Sequence, residues 1–364
     1  MVSVIAVNYN SAHLLRECLS SIAAAVDGTP FECIAVDSGS RESDVRMLRD
    51  LKGDNLALLL NKENIGYAKA VNQGLSHAKG DVVLISNPDM LYKPGSIHRM
   101  MKTLEETPRC GAVGPRTWWD KEMRFLLPVS EFVTPYRMFR DEIMKGSRVV
   151  YEAILKGWVK KKIRYWLTET PLEQEMLSGA CIMTTRRLIE KVGGFDEKFP
   201  LYFEDTDWFL RVRKAGYSLF LEPRAAVIHY YNQSAQKERD AAQQKFDYSL
   251  NLFLRKHYAF HFPIVNAIIK LRGHVHNRIY PLYDDMGRLT SPPDFSFSDT
   301  SEKLLLLSPV YSMIPSAGSF FKGNTFRIPE ELWKYLGEGR YFVKAFILDG
   351  LKECGAWTWV KSNS

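Results

Sequence analysis

The 364-residue chain reads as an α/β protein with a mostly parallel central sheet, a helical C-terminal extension and a small β-rich appendage. Three observations predict this. Up to residue 86, short apolar runs alternate with segments of helical periodicity, the pattern of βαβ units with helices on both sheet faces. Several of those runs end in a short polar tail. Beyond about residue 282 the chain turns to short apolar runs separated by Ser, Pro and Gly.

Taken in order, VSVIAV (2–7) reads as a buried strand with NYNS as its tail, followed by a helix over about 12–25. FECIAV (31–36) is a second strand ending in DSGS, and NLALLL (55–60) is a third. A helix then runs from Gly66 to about Lys79, with Tyr67, Val71, Leu75 and Ala78 as its apolar stripe. DVVLIS (81–86) is a fourth strand, ending at NPDM. Ligands bind such sheets at the carboxyl ends of the strands, so NYN, DSGS and NPDM are expected to gather along one edge. Residues from about 125 to 170 are basic, aromatic and helical in pattern. The α/β rhythm returns with MLSGACIMTT as a strand and RRLIEKVGGF as a short helix closed by Gly193-Gly194. PLYFEDTDWFLRVRKAGY then gives a helix with Trp208, Val212 and Ala215 on one side. SLFLEPRAAVIHYYNQS (218–234) is extended, 235–258 is helix-like, and TSPPDFSFSDTS marks a linker. The expected organisation is a first domain over 1–257 carrying the basic aromatic insertion, a helical extension and linker over 258–290, and the β-rich appendage over 291–364.

Composition bounds the partners. Hydrophobic residues make up 46% and charged residues 25% of the chain, as in ordinary soluble globular proteins. A net charge of +7 and a pI near 9.0 suggest an anionic partner: nucleic acid, nucleotide phosphates or an acidic lipid surface. The basic residues are spread and no nucleic-acid-binding module is present, which makes nucleic acid the weakest of the three. Cys18, Cys33, Cys110, Cys181 and Cys354 lie far apart with no CxxC pair, which argues against a disulfide framework or a zinc site and fits a reducing compartment. The first residues read as a strand rather than a leader, and no run nears the roughly 18–20 apolar residues of a membrane span. A cytoplasmic protein is expected.

No GxGxxG, GxxxxGK[ST] or GxSxG occurs, which weakens dinucleotide, P-loop and hydrolase readings. Four patches carry chemistry. In VDSGS, Asp37 suits a hydrogen bond to a nucleobase imide, and Ser38-Gly39 lets the backbone turn near a ligand; an Asx turn is the alternative. In NKENIGYAKAVNQGL, Asn64 and Gly66 stand at a helix start, where free N–H groups attract phosphate. Lys69 and Asn72, three apart, share a face of that helix; plain capping by Asn64 is the alternative. In NPDM, Asp89 suits Mg2+ or Mn2+ bridging two phosphates, although by itself the patch is better explained as a type I turn. In FEDTD, acids at a helix N-terminus gain from the helix dipole, which accounts for Asp205 or Asp207 without any activity. It does not account for the apolar bulk that presses these acids into an enclosed place. His229, after an apolar strand, is by itself more simply a core histidine.

Together and in this order, VSVIAVNYN, VDSGS, NIGYAKAVNQGL, NPDM, MLSGACIMTTRRLIEKVGGFDEKFPLYFEDTDWFLRVRKAGY and VIHYYNQS strongly resemble glycosyltransferase family 2, with its GT-A nucleotide-sugar-binding fold, over residues 2 to about 257. Within the family the chain looks most like the rhamnosyltransferase-like branch that builds cell-surface polysaccharides. The resemblance implies inverting transfer of a hexose, rhamnose by analogy, from a dTDP- or UDP-linked donor to a hydroxyl of a glycan or lipid-linked saccharide. It implies that Asn8 and Asp37, with Ser38, contact the pyrimidine nucleoside. Asn64, Gly66 and Asn72, with Lys69 between them, fall in the donor-binding stretch. Asp89 stands where the last acid of the DxD motif stands, with His229 approaching the same Mg2+ or Mn2+. Asn87, on the donor side, replaces that motif's first acid. Asp205 matches the catalytic base, with Glu204 beside it, and Asp207 is expected to be structural.

Two other readings remain. A non-catalytic saccharide-binding or scaffold protein on this fold is opposed by the joint presence of Asp89, Asp205 and His229. A nucleotidyltransferase needs a Gly-rich basic loop near the start, which NYNSAHLL lacks. The basic stretch at 132–167 is either a solvated cover over the acceptor cleft or a segment lying on an anionic membrane. In the second case Trp158, Tyr165 and Trp166 dip in while Lys160, Lys161 and Lys162 meet headgroups, giving peripheral contact with the inner face of the cell membrane.

Overall fold

The computed structural model describes residues 1–51, 53–128, 130–230, 239–264, 266–267 and 282–362. The chain forms two compact units. One comprises Met1–Arg116, Val129–Phe132 and Thr168–His257; the other comprises Thr117–Pro128, Val133–Leu167 and Tyr258–Ser364.

The first unit is built on a nine-stranded sheet. Its strands are β1 (Val2–Asn8), β2 (Phe31–Ser38), β3 (Leu56–Asn61), β4 (Val82–Ser86), β5 (Met90–Tyr92), β6 (Cys110–Trp118), β7 (Leu172–Gln174), β8 (Cys181–Thr185) and β9 (Ser218–His229). The order is β3-β2-β1-β4-β8-β6-β9-β5, with β7 pairing on β9. β1 to β4 are parallel, with β1 between β2 and β4 and β3 outside β2. β8 runs antiparallel to β4, and β5 antiparallel to β9. Continuous apolar runs bury β1 and β4 along their whole length, whereas β3, at the sheet edge, is only half-buried. Helices α1 (Ala12–Ala25), α2 (Glu42–Arg49), α3 (Tyr67–His77) and α4 (Ser96–Glu106) follow β1, β2, β3 and β5. The polar tails of β1, β2 and β4 do lie along one edge, because parallel pairing aligns Asn8 with Asp37 and Ala6 with Ser86.

Several elements differ from the sequence reading. α2 was not foreseen, since Leu48 is its one fully buried residue and leaves little apolar period to read. The buried side of α3 is Ala68, Ala70, Val71 and Gly74: Val71 is buried as expected, but Tyr67 and Leu75 are only half-buried, because small residues let the helix approach the sheet closely. Of MLSGACIMTT only Cys181–Thr185 is strand; the preceding residues turn, and that turn serves the site described below. Helix α7 (Arg186–Val192) is capped by Thr185, whose hydroxyl accepts from the Leu188 N–H at 3.2 Å. Helix α8 (Glu204–Lys214) buries Trp208 and Val212 as expected, but Ala215 is exposed just past its end. Helix α9 (Arg239–Tyr258) completes the unit. The YNQS tail after His229 and the start of the helix expected from 235 lie outside the described residues.

In the second unit, helix α5 (Pro135–Gly146) begins at a Thr-Pro pair, Thr134 capping the Arg137 N–H. It is followed by α6 (Arg148–Leu167). The rest is β-rich: β10 (Asp284–Leu289), β11 (Asp294–Ser296), β12 (Glu302–Ser308), β13 (Ala317–Lys322), β14 (Thr325–Arg327), the short helix α10 (Glu330–Tyr335), β15 (Gly339–Ile347) and β16 (Lys352–Lys361). Five strands form a sheet in the order β10-β16-β15-β12-β13, and β11 pairs with β14. The expected linker is therefore partly strand, and Phe295 within it is buried against Trp359 and Leu305. Residues 284–289 are strand as well; most of the helical extension expected before them lies outside the described residues. Trp158, Tyr165 and Trp166 are buried in this unit, so they are not available to dip into a membrane. Trp166 donates to the Leu127 carbonyl and packs edge-on against Phe320. Lys162 is also buried, over the Trp158 ring, and cannot meet headgroups.

Candidate active site

The strand ends at the sheet edge are tied to one another before any ligand is considered. Asn8 donates to Asp37 Oδ1 at 2.8 Å and accepts from Ser11, while Ser40 bonds both Asp37 oxygens through its N–H and hydroxyl. Asn8 and Asp37 are fully buried and brace the two loops internally, rather than presenting their side chains to the edge. Ser38 donates to Asn64 Oδ1, which also accepts from the Gly66 N–H at the start of α3. Gly39 makes this tie feasible: its φ is +69°, and a Cβ there would lie 2.2 Å from the Glu63 carbonyl carbon. Lys69 is exposed on α3. Asn72 is spent elsewhere, its amide closing on both the N–H and the carbonyl of Phe195 and on Glu197. Its place in the structure is therefore a clamp on the loop after α7.

Asp89 and His229 meet because β5 pairs with β9 in a register that sets Met90 opposite His229. Asp89 Oδ1 lies 3.3 Å from His229 Nε2, yet among the described residues it accepts no hydrogen bond although buried. A buried carboxylate oxygen without a donor, beside an imidazole nitrogen, suits a hard divalent cation. Among the described residues no group of three or more His, Cys, Asp or Glu could complete such a site, so the remaining ligands would be phosphate oxygens and water. Asn87, two residues back, accepts from the Tyr67 hydroxyl at 3.2 Å.

The acids of α8 are presented by a strained turn. Tyr202 and Phe203 both have φ near +67°, a region that bulky residues rarely adopt, costing on the order of 1–3 kcal/mol each. An aromatic cluster holds them there: Phe246 lies 5.7 and 5.2 Å from the two rings and Phe253 lies 5.6 Å from Phe203. Ser249 also donates to the Leu201 carbonyl. Glu204 is buried, with Oε2 unpartnered among the described residues; desolvation first, then the Asp205 charge, pushes its carboxyl up to about 8. Asp205 is half-buried and also raised, by desolvation, against bonds from the Thr206 N–H and hydroxyl. Gly179, from the turn before β8, leaves room for this carboxylate, since a Cβ there would lie 2.1 Å from Asp205 Oδ2.

Asp207 is built differently. It receives Arg211 at 2.9 Å and both Lys256 and His257 at 2.7 Å. Burial alone would raise this carboxyl, but the His257 and Lys256 bonds and the Arg211 charge outweigh it and hold it at about 2. Arg211 and Trp208 further bond the carbonyls of the Val192–Gly194 turn. Asp207 thus locks α8 to α9 and to the loop that Asn72 clamps.

Tyr67 brings the two halves together, and the sequence reading assigned it only to an apolar stripe. Its enclosure, and then the charges of Glu204, Asp205 and Asp89, raise its phenol well above the ordinary range. All three acids thus act electrostatically on one hydroxyl, which donates to Asn87. Its placement directly after Asn-Ile-Gly, at the first position of α3, was the available signal.

The parallel β3-β2-β1-β4 core with its flanking helices, continued by antiparallel β8, is the α/β sheet of a GT-A fold. The chain belongs to the glycosyl transferase family 2, whose model matches residues 3–191. It is 27% identical over 257 residues to an N-acetylglucosaminyl-diphospho-decaprenol L-rhamnosyltransferase of Mycobacterium tuberculosis, covering 65% of this chain and 78% of that one. It is 30% identical over 200 residues to a galactofuranosyl glycosyltransferase of Leishmania donovani, covering 51% and 45%. A mannosyltransferase from Pyrobaculum calidifontis, solved with GDP-Man and Mn2+, superposes with a TM-score of 0.43 at 22% identity, covering 76% of this chain and 75% of that one.

Proposed function

We propose that the protein is an inverting, divalent-metal-dependent glycosyltransferase. It moves a deoxyhexose of the rhamnose type from a dTDP- or UDP-linked donor to a hydroxyl of a lipid-linked saccharide. The observation that carries this reading is the buried pair of Asp89 and His229, joined to the acids of α8 through the Asn87 N–H bond to the Ala180 carbonyl, beside Gly179 on which Asp205 packs. The sugar and acceptor class follow from the similarity to the mycobacterial rhamnosyltransferase.

In this reading Asp205 takes the proton of the acceptor hydroxyl as its oxygen attacks the anomeric carbon, opposite the departing nucleoside diphosphate. Glu204 keeps its proton to about pH 8, which leaves the negative charge of the acid pair on Asp205. Asp89 and His229 would hold the divalent ion, Mg2+ or Mn2+, which when bound supplies positive charge beside the leaving diphosphate. The Tyr67 hydroxyl, kept protonated by its surroundings, stays a permanent donor and fixes the Asn87 amide between the two halves of the site. Ser38, Asn64 and Gly66 shape the loop edge that receives the donor.

Nucleotide release measured over a panel of sugar donors, with and without Mn2+, tests the reading. Release with a dTDP- or UDP-deoxyhexose only when metal is present, lost in Asp89→Ala, is the expected result. Equal release without metal, or an unaffected Asp89→Ala variant, would remove the metal from the proposal. No release with any donor would remove the activity.

A further inference from the structure

The thirty-five residues 133–167 carry nine Lys or Arg against three Asp or Glu, a net +6 within a chain whose total is +7. The positive excess that composition reports for the whole protein therefore sits on α5 and α6. On α6 it is concentrated further. Lys156, Lys160 and Arg164 are spaced i, i+4, i+8, and all three are exposed. Among the described residues none of the three has an ion-pair partner. Lys161, at the border of the same face, is exposed too. Like charges four apart on a helix repel one another, so the stripe weakens the helix that carries it.

The opposite side of α6 packs inward, with Tyr151, Leu155, Trp158, Val159, Tyr165 and Trp166 buried. That packing fixes which way the stripe faces: outward. Val149 and Leu167 close the stripe at its two ends. They lie about five full turns apart, and so on one side of the helix, and are 76% and 53% exposed. Small residues, Ala153 and Gly157, occupy exposed positions between, and Glu152 at the edge of the face is paired with Arg148. The result is a flat helical face, cationic in the middle and apolar at both ends. Among the described residues no helix is long and apolar enough to cross a membrane.

We propose that this face of α6 is a docking surface for an anionic lipid bilayer, the cations meeting headgroup phosphates and Val149 and Leu167 entering the interface. Electrostatic adsorption supplies the contact, as expected where cations cluster against acidic headgroups. This differs from the arrangement suggested by the sequence, in which buried tryptophans were to insert. Where the acceptor is lipid-linked, such docking brings the enzyme to its substrate; in that respect alone it rests on the proposed function.

Co-sedimentation of the full chain with vesicles provides the test. The protein is expected to pellet with vesicles containing phosphatidylglycerol at low salt, to be released at high salt, and to ignore pure phosphatidylcholine. The triple variant Lys156→Glu, Lys160→Glu, Arg164→Glu is expected to weaken binding at least about tenfold. A charge-matched triple in the first unit, Arg46→Glu, Arg49→Glu, Lys102→Glu, is expected to bind as the parent does. Should the α6 triple fail to fold by circular dichroism, Gln at the same three positions removes the charge alone and must show the same direction of loss. Unchanged binding by a folded α6 variant, equal loss in the control triple, or retention on DNA as strong as on acidic vesicles would each overturn the proposal. Transfer to a water-soluble acceptor should be unchanged in the α6 variant. The vesicle readout needs no turnover, so it stands or falls separately from the assignment of activity.

Discussion

Glu204 and Asp207 lie three residues apart in the first turn of α8 and are both buried, yet they are driven in opposite directions. Glu204, with one oxygen unpartnered among the described residues, is raised to about 8, whereas Asp207, bonded by His257, Lys256 and Arg211, is held at about 2. Position at a helix N-terminus is common to both, so the helix dipole cannot be what separates them. The difference lies in what each faces: Asp207 turns to α9 and its cations, and Glu204 turns to Asp205. One turn of helix thus carries a fixed anchor and an uncommitted acid pair, and a buried carboxylate becomes available for chemistry only where structure leaves its charge unanswered.

The largest effect that would break this contrast is on turnover. Asp205→Asn keeps the shape and the Thr206 contacts but removes the proton acceptor. A positioned base contributes about 10²–10⁴-fold, so transfer should fall by that much while calorimetric nucleotide binding and the melting temperature stay near those of the parent. Normal transfer by Asp205→Asn would mean that the acid pair is uncommitted for some other reason.

Asp207→Asn should show the converse. Removing one member of a buried charge network costs about 3–5 kcal/mol, because Arg211, Lys256 and His257 lose the charge they answer. A melting temperature lower by roughly 10 °C is expected. The Asp207 contribution is present above the ordinary carboxyl range near pH 4 and is lost as pH falls toward 2. The acid-side unfolding of the parent should therefore be steeper than that of the variant. Equal acid stability would show that the network does not hold α8.

Much of this was legible in the text of the chain, for a physical reason. The parallel strands are short continuous apolar runs, and such runs leave few alternatives once helices separate them. Glu204 and Asp205 stood out because acids beside apolar bulk need an explanation, whereas Asp89 and His229, which singly read as a turn and a core histidine, gained a role only through the family resemblance. What sequence could not show was how side chains are spent. Asn8, Asp37 and Asn72 have the chemistry of ligand-binding residues, but their groups are taken by Ser40, by one another and by Phe195 across more than a hundred residues. Tyr67 was hidden for the opposite reason: at helical spacing an aromatic passes for core. The Asp207 partners were hidden by distance, since Lys256 and His257 lie near the end of α9 and nothing local links them to α8. On α6, the tryptophans that suggested a membrane face pack inward, and most of the charges remain outside with Val149 and Leu167.

The subtlest expectation concerns Glu204. Its folded carboxyl titrates near 8 against an ordinary value of 4.5, so its effect on stability has the sign opposite to that of Asp207. No cost exists below pH 4.5, and stability falls as pH rises toward 8, where the fold must bury a charge. For turnover, the useful form of the pair has Asp205 charged and Glu204 neutral. Above about pH 8 a second negative charge appears beside Asp205 and repels the anionic donor. The profile of kcat/KM should therefore be bell-shaped, with its alkaline limb near 8. Gln at this position imitates the neutral acid, so Glu204→Gln should keep the acid limb, lose the alkaline one and flatten the decline of stability with pH. If instead Glu204→Gln removes all transfer while folding normally, Glu204 rather than Asp205 is the proton acceptor, and the two acids exchange roles.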